Sequence, residues 1–174
     1  GANVLATREP GGTPLGEKLR SVLLGDSKLD ICPRSELFLF MAARAQIVEK
    51  VVNPALETGA IVITDRFLLS SVVYQGLAGE IPAGEVQAIG RSATNGLTPH
   101  LTIVIDVDAE TGLKRAGKGD RIESRGRNYH QKVRQGFLSL SRRDPNRMAV
   151  IDGSQTIAAV HDEILGLVEA HGLV

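Results

Sequence analysis

The chain has 174 residues, 20 Lys and Arg against 20 Asp and Glu, 43% hydrophobic residues, one cysteine and no tryptophan. A chain of this size buries one core, so a single domain over residues 1–174 is expected, and its apolar content excludes a disordered chain. One cysteine excludes a disulfide framework or a Cys-based zinc site and fits a reducing, cytoplasmic setting. No apolar run reaches the ~18 residues of a membrane span, and zero net charge argues against a bulk nucleic-acid binder.

Four short apolar runs read as strands: Asn3 to Ala6, Ala60 to Thr64, Leu101 to Val107 and Arg147 to Ile151. The two middle runs are continuous Val/Ile stretches without alternation, the pattern of strands covered on both faces. Helical stretches separate them. Pro14 to Leu24 carries Leu15, Leu19, Val22 and Leu23 on one stripe; Ser35 to Glu57 is long, with Pro54 an expected kink or break. Pro82 to Ala93, Ala109 to Ala116, Asn128 to Arg142 and Ile157 to His171 follow. Strands alternating with helices predict a doubly wound, mainly parallel α/β sheet with helices on both faces.

In such sheets ligands bind beyond the carboxyl ends of the strands. After the first run comes TREPGGT (Thr7 to Thr13), where paired glycines, a helix start and Arg8 suit a phosphate; an ordinary Pro-Gly turn is the alternative. After the second come Asp65 and Arg66, an acid for a metal-linked water and a guanidinium for a phosphate, or else a plain ion pair. Ser71, Tyr74 and Gln75 lie on the next helical turns. Phe40 and Arg44 are four residues apart, so they share a helix face; a ring to stack on a base and a donor for its carbonyl would form a pocket, and core packing is the competing reading.

Residues 114 to 134 hold eight basic side chains against Asp120 and Glu123, a net +6 that leaves −6 for the remainder. Such a loop over a phosphate site could steady charge on a transferring phosphoryl group. Gly112 to Gly119 (GLKRAGKG) imitates a Walker A loop but ends in glycine where a Mg²⁺-ligating hydroxyl is required, and it follows a helix rather than a strand. It is not a P-loop. The four histidines are scattered, so no metal-ligand spacing arises from them.

Five segments in this order resemble bacterial thymidylate kinases, a family of P-loop nucleoside monophosphate kinases. They are Thr7 to Arg20 (TREPGGTPLGEKLR), Glu36 to Gln46 (ELFLFMAARAQ), Asp65 to Gly76 (DRFLLSSVVYQG), Gly119 to Phe137 and Arg142 to Gln155. The resemblance implies phosphoryl transfer from ATP to dTMP, giving dTDP, with Mg²⁺, in a homodimer without nucleic acid or membrane. It implies that Phe40 stacks on thymine, Arg44 bonds the base, and Arg66 with Arg8 holds the acceptor phosphate. Ser71, Tyr74 and Gln75 would line the nucleoside end, with Tyr74 disfavouring a 2′-hydroxyl.

Asp65, through water, and Glu9 would serve the metal. A lid at about residues 114–127 would bring Arg115 and Arg121 to ATP as catalytic groups, with Lys118, Glu123, Arg125 and Arg127 around them. The Asp152 to Gln155 loop would border adenine. In the family, TREPGGT follows a second strand, after a first strand and a P-loop. Neither precedes it here, so the expectation is an incomplete chain, inactive alone. A kinase for another pyrimidine nucleotide and a catalytically silent nucleotide-binding module are the alternative functions.

Overall fold

The strands of this chain form two parallel pairs. The computed structural model describes residues 2–25, 29–117 and 119–173. Strand β1 (Val4–Arg8) pairs with β2 (Ile61–Asp65) from Val4 opposite Ile61 to Arg8 opposite Asp65. Strand β3 (Thr102–Asp106) pairs likewise with β4 (Met148–Asp152), ending with Asp106 opposite Asp152. Each strand begins one residue after its apolar run does; β1, β2 and β4 also end beyond theirs, whereas β3 ends one residue short, so Arg8, Asp65, Asp106 and Asp152 are the last strand residues.

The strands are parallel, as predicted, yet they form two separate two-stranded sheets. This corrects the expectation of strands covered on both faces. Ile63 is 57% and Ile105 50% exposed, so neither of these strand residues is covered.

Helix α1 (Pro14–Leu24) occupies its predicted span, started by Thr13, whose hydroxyl accepts a bond from the Gly16 amide at 2.9 Å. Its apolar stripe is only partly used. Leu23 is buried, whereas Leu15 and Val22 stay exposed.

Helix α2 (Pro33–Ile47) continues through a π-helical turn, Val48–Val52, into α3 (Asn53–Glu57). Pro54 therefore does not end the helix. The wider turn lets the Asn53 amide reach the Val48 carbonyl just before the proline, where an ordinary α turn would meet the ring. A second such passage, α4 (Leu68–Ser71) followed by a π-helical turn at Val72–Leu77, leads towards α5 (Ala83–Ala93). Beyond it lie α6 (Ala109–Ala116), a short 3₁₀ turn at Glu123–Arg125, α7 (Arg127–Ser141) and α8 (Ile157–Ala170).

The Val72–Leu77 turn serves two cores at once. Val72 joins Leu37, Met41, Ile81 and Val86, while Val73 joins Ala78 and Val133 beneath Tyr74, Tyr129 and Phe137. Each such aliphatic side chain contributes roughly 1.5–3 kcal/mol by leaving water. That packing fixes the pitch of the turn that carries Tyr74 and Gln75. Among the described residues no helix is long and apolar enough to cross a membrane.

The Thr13 cap ties the turn after β1 to α1. Thr13→Ala is expected to lower stability by about 1 kcal/mol, read as an earlier urea midpoint with an unchanged slope.

Candidate nucleotide site

The turn after β1 satisfies itself before any ligand arrives. Gly12 lies at φ +71, and a Cβ there would come within 2.4 Å of Ile47 and 2.6 Å of Thr7. Glycine is therefore needed for packing against α2. The loop's anion is its own Glu17, which accepts from the Gly12 amide at 3.0 Å and pairs with Arg8 at 3.3 Å. These bonds hold the Glu17 carboxyl below its usual range, the Gly12 amide first and Arg8 after it. Arg20 closes the turn by donating to the Pro10 carbonyl at 2.9 Å. Arg8 stays half exposed beside Asp65.

Glu9, next in the turn, points inward. Its carboxylate takes a bond from Arg44 Nε at 2.6 Å, with the two side chains 4% and 2% exposed. Arg44 also donates to Ser71 Oγ at 3.1 Å and lies 5.8 Å from the centre of the Phe67 ring. Glu9 Oε1 is sealed from solvent without a hydrogen-bond partner. Burial pushes the Glu9 carboxyl up, and Arg44 offsets part of that shift. Glu9 thus fits a structural ion pair and does not fit a metal ligand. Among the described residues no cluster of three acidic, His or Cys groups exists to hold an ion directly. Asp65 ends β2 exposed, which suits an acid acting through water.

Arg66 adopts φ +70, the left-handed region that a non-glycine residue enters only at a cost. The Thr64 hydroxyl holds it there by donating to the Arg66 carbonyl at 2.9 Å, and the guanidinium sits 5.1 Å above the Tyr74 ring. The ring also meets Tyr129 and Phe137 edge-on, at 6.3 and 6.1 Å between centres.

A residue the sequence reading passed over joins these parts. Glu36 is 1% exposed. It accepts from Gln75 Nε2 at 2.9 Å, from Arg121 at 2.5 Å and from Arg125. Glu36, Phe40 and Arg44 fall four apart on α2, one stripe facing Ser71 and Gln75, themselves four apart. The E-x-x-x-F-x-x-x-R spacing was a visible signal for it. Phe40 sits one turn from each bonded pair, half-buried.

The described lid residues Arg115, Arg121, Glu123, Arg125 and Arg127 are engaged within the chain. Arg121 also donates to the Leu23 carbonyl at 3.0 Å, Arg115 to the Gly153 carbonyl at 2.8 Å, and Arg125 lies over Tyr129. Asp120 and Glu123 form a reciprocal cap, each side chain accepting from the other's amide at 2.9 Å. Glu123 is therefore a cap in this arrangement. Arg127 starts α7 near Glu110 at 3.7 Å, and Lys118 lies outside the described residues. Gly117 (φ +72) and Gly126 (φ +84) flank the segment in a backbone conformation that suits glycine. In the Asp152 loop, Asp152 accepts from the Ser154 amide at 2.8 Å.

Parallel strands with an arginine and an acid at their carboxyl ends, an aromatic ring between polar pairs and a basic flap define a nucleotide-binding α/β protein of the monophosphate kinase type. Comparison with known proteins gives the particular family. The thymidylate kinase family model matches residues 1–164. A protein named thymidylate kinase from Symbiobacterium thermophilum is 47% identical over 165 residues, 94% of this chain and 77% of that one. One from an Exiguobacterium species is 43% identical over 168 residues, 95% and 79% respectively. The crystal structure of thymidylate kinase from Ehrlichia chaffeensis superposes with a TM-score of 0.75 at 31% identity, over 95% of this chain and 80% of that one. The chain belongs to the thymidylate kinase family.

Two measurements test the buried pair. Arg44→Ala strands the Glu9 carboxylate without a counter-charge and should lower stability by about 3–5 kcal/mol in urea unfolding. The second concerns pH. The native Glu9 pKa lies above its reference 4.5, so as pH rises from 4.5 through the raised value this group subtracts stability. In thermal melts across that acidic range, Glu9→Gln should flatten this part of the profile.

Proposed function

We propose that the chain binds dTMP between α2 and the Val72–Leu77 turn and serves its ATP-dependent phosphorylation to dTDP. The observation that carries this is the stripe Glu36, Phe40 and Arg44 facing Ser71 and Gln75, with Arg66 held above Tyr74 at its mouth. Phe40 offers a face for the thymine ring, and the donors of Arg44 suit a base carbonyl. Tyr74 lies where a deoxyribose would pass between the base and the phosphate. Arg66 meets the 5′-phosphate with its planar fork, and Arg8, on the neighbouring strand end, adds a second positive charge.

Catalysis on this reading is positioning and charge neutralisation without a covalent intermediate. Mg²⁺ when bound supplies neutralisation of the phosphate charge, with Asp65 the acid placed to reach its waters. Arg121 and Arg115 are the lid groups assigned to ATP. For Arg121 to meet a phosphate it must exchange Glu36 for it, and the glycines at both ends of the lid supply the rotation. The Asp152 to Gln155 loop is assigned to the adenine side. The same reading carries a homodimer in the cytoplasm. Phe38, 53% exposed on α2, is an apolar group available to such a contact.

Calorimetry with dTMP, thymidine and dAMP tests the acceptor assignment. Arg66→Ala should weaken dTMP binding by about 1.5–3 kcal/mol and leave thymidine, which lacks the phosphate, nearly unchanged. Equal losses for both ligands would place the phosphate elsewhere.

A further inference from the structure

The direction of one buried hydrogen bond decides which base edge the cleft can accept. A glutamine amide has a donor end and an acceptor end, and on its own can lie either way round. Opposite Glu36 it cannot. The Glu36 carboxylate offers only acceptors, and two guanidinium groups already hold it in place, Arg121 at 2.5 Å and Arg125 beside it. Gln75 must present its NH₂ to Glu36, as the 2.9 Å contact from Nε2 shows, so its carbonyl oxygen is turned to the other side. Among the described residues nothing donates to that oxygen, although Gln75 is 4% exposed. The amide end is buried against Glu36, where reversing it would set oxygen against oxygen, two acceptors with no proton between them.

We propose that Glu36 is the positioning residue that sets base specificity, by locking the Gln75 carbonyl as an acceptor towards the base stacked on Phe40. This rests on the dTMP reading above. Arg44 at one end of the stripe can only donate, and the locked Gln75 can only accept. A pyrimidine imide such as thymine presents a carbonyl and the neighbouring N3–H, which complements both. Cytosine presents an amino group and an unprotonated N3 at the same two places, so it opposes both. The lid arginines that bond Glu36 thereby also brace the residue that orients the base reader.

The test is the ratio of dissociation constants for dTMP and dCMP, measured by calorimetry without any need for turnover. The unaltered chain should prefer dTMP by more than about tenfold, because Arg44 and Gln75 each set one matched against one opposed hydrogen bond of about that scale. In Glu36→Gln, amide faces amide and either orientation is allowed, so the ratio should fall by about tenfold, to the share that Arg44 contributes. Loss of the lid ion pairs affects both nucleotides alike and cancels in the ratio. Glu36→Asp, which keeps a charged acceptor, should retain the preference. Gln75→Ala should lower the ratio as far as Glu36→Gln does, and adding Glu36→Gln to Gln75→Ala should lower it no further.

Should Glu36→Gln not fold, the side-chain amide protons of Gln75 in the unaltered chain decide the matter by NMR. Slow exchange with solvent supports the lock, and free exchange overturns it. A dTMP-to-dCMP ratio left undiminished by Glu36→Gln overturns the inference alone. Equal binding of the two nucleotides by the unaltered chain overturns the functional reading and the inference with it.

Discussion

The buried ion pair between Glu9 and Arg44 is the constraint on which the rest of the site depends. Two charged side chains this far from water persist only when each has the other, and separating them costs far more than the pair contributes by existing. That asymmetry makes the pair a fastener. It joins the turn after β1 to the middle of α2, and through Ser71 to the helix that follows β2. The Glu9 amide, bonded to the Asp65 carbonyl at 3.0 Å, ties the same turn to the end of β2. Three chain segments far apart in sequence are held at fixed separation by these few polar contacts.

Around that fastener, apolar packing sets angles and polar contacts set identity. The Val72–Leu77 turn is gripped by cores on two sides, so Tyr74 and Gln75 project at a set pitch towards α2. Ionic contacts from the lid reach the same helix at Glu36. The proposed nucleotide site and the basic segment therefore share a boundary residue, Glu36, which couples the position of that segment to α2.

Much of this was legible in the residues. The strand–helix alternation and the spans of α1 and α6 follow from periodicity and capping, and Phe40 with Arg44 follows from helical spacing. Other features were hidden for definable reasons. The two π-helical turns depend on a one-residue change of phase that hydrophobic pattern does not encode. Arg44 reads as a solvated helix arginine until Glu9, 35 positions earlier, is brought beside it. Glu36 looked like an ordinary first-turn acid because its partners lie on two distant segments. TREPGGT showed its glycines and arginine plainly, but not that its first anion is Glu17. The strand runs implied cover on both faces, since sequence reports apolar character and not which neighbours are present to use it.

The backbone at Arg66 has a consequence for how this protein can change. A left-handed conformation costs a non-glycine residue on the order of 1 kcal/mol, and glycine would occupy it freely. Stability alone would therefore favour glycine at a position where the proposed phosphate contact calls for a guanidinium. Any search for hardier variants that ignores ligand binding will be drawn towards erasing this side chain. The strained arginine marks where the fold has been held away from its own energetic optimum.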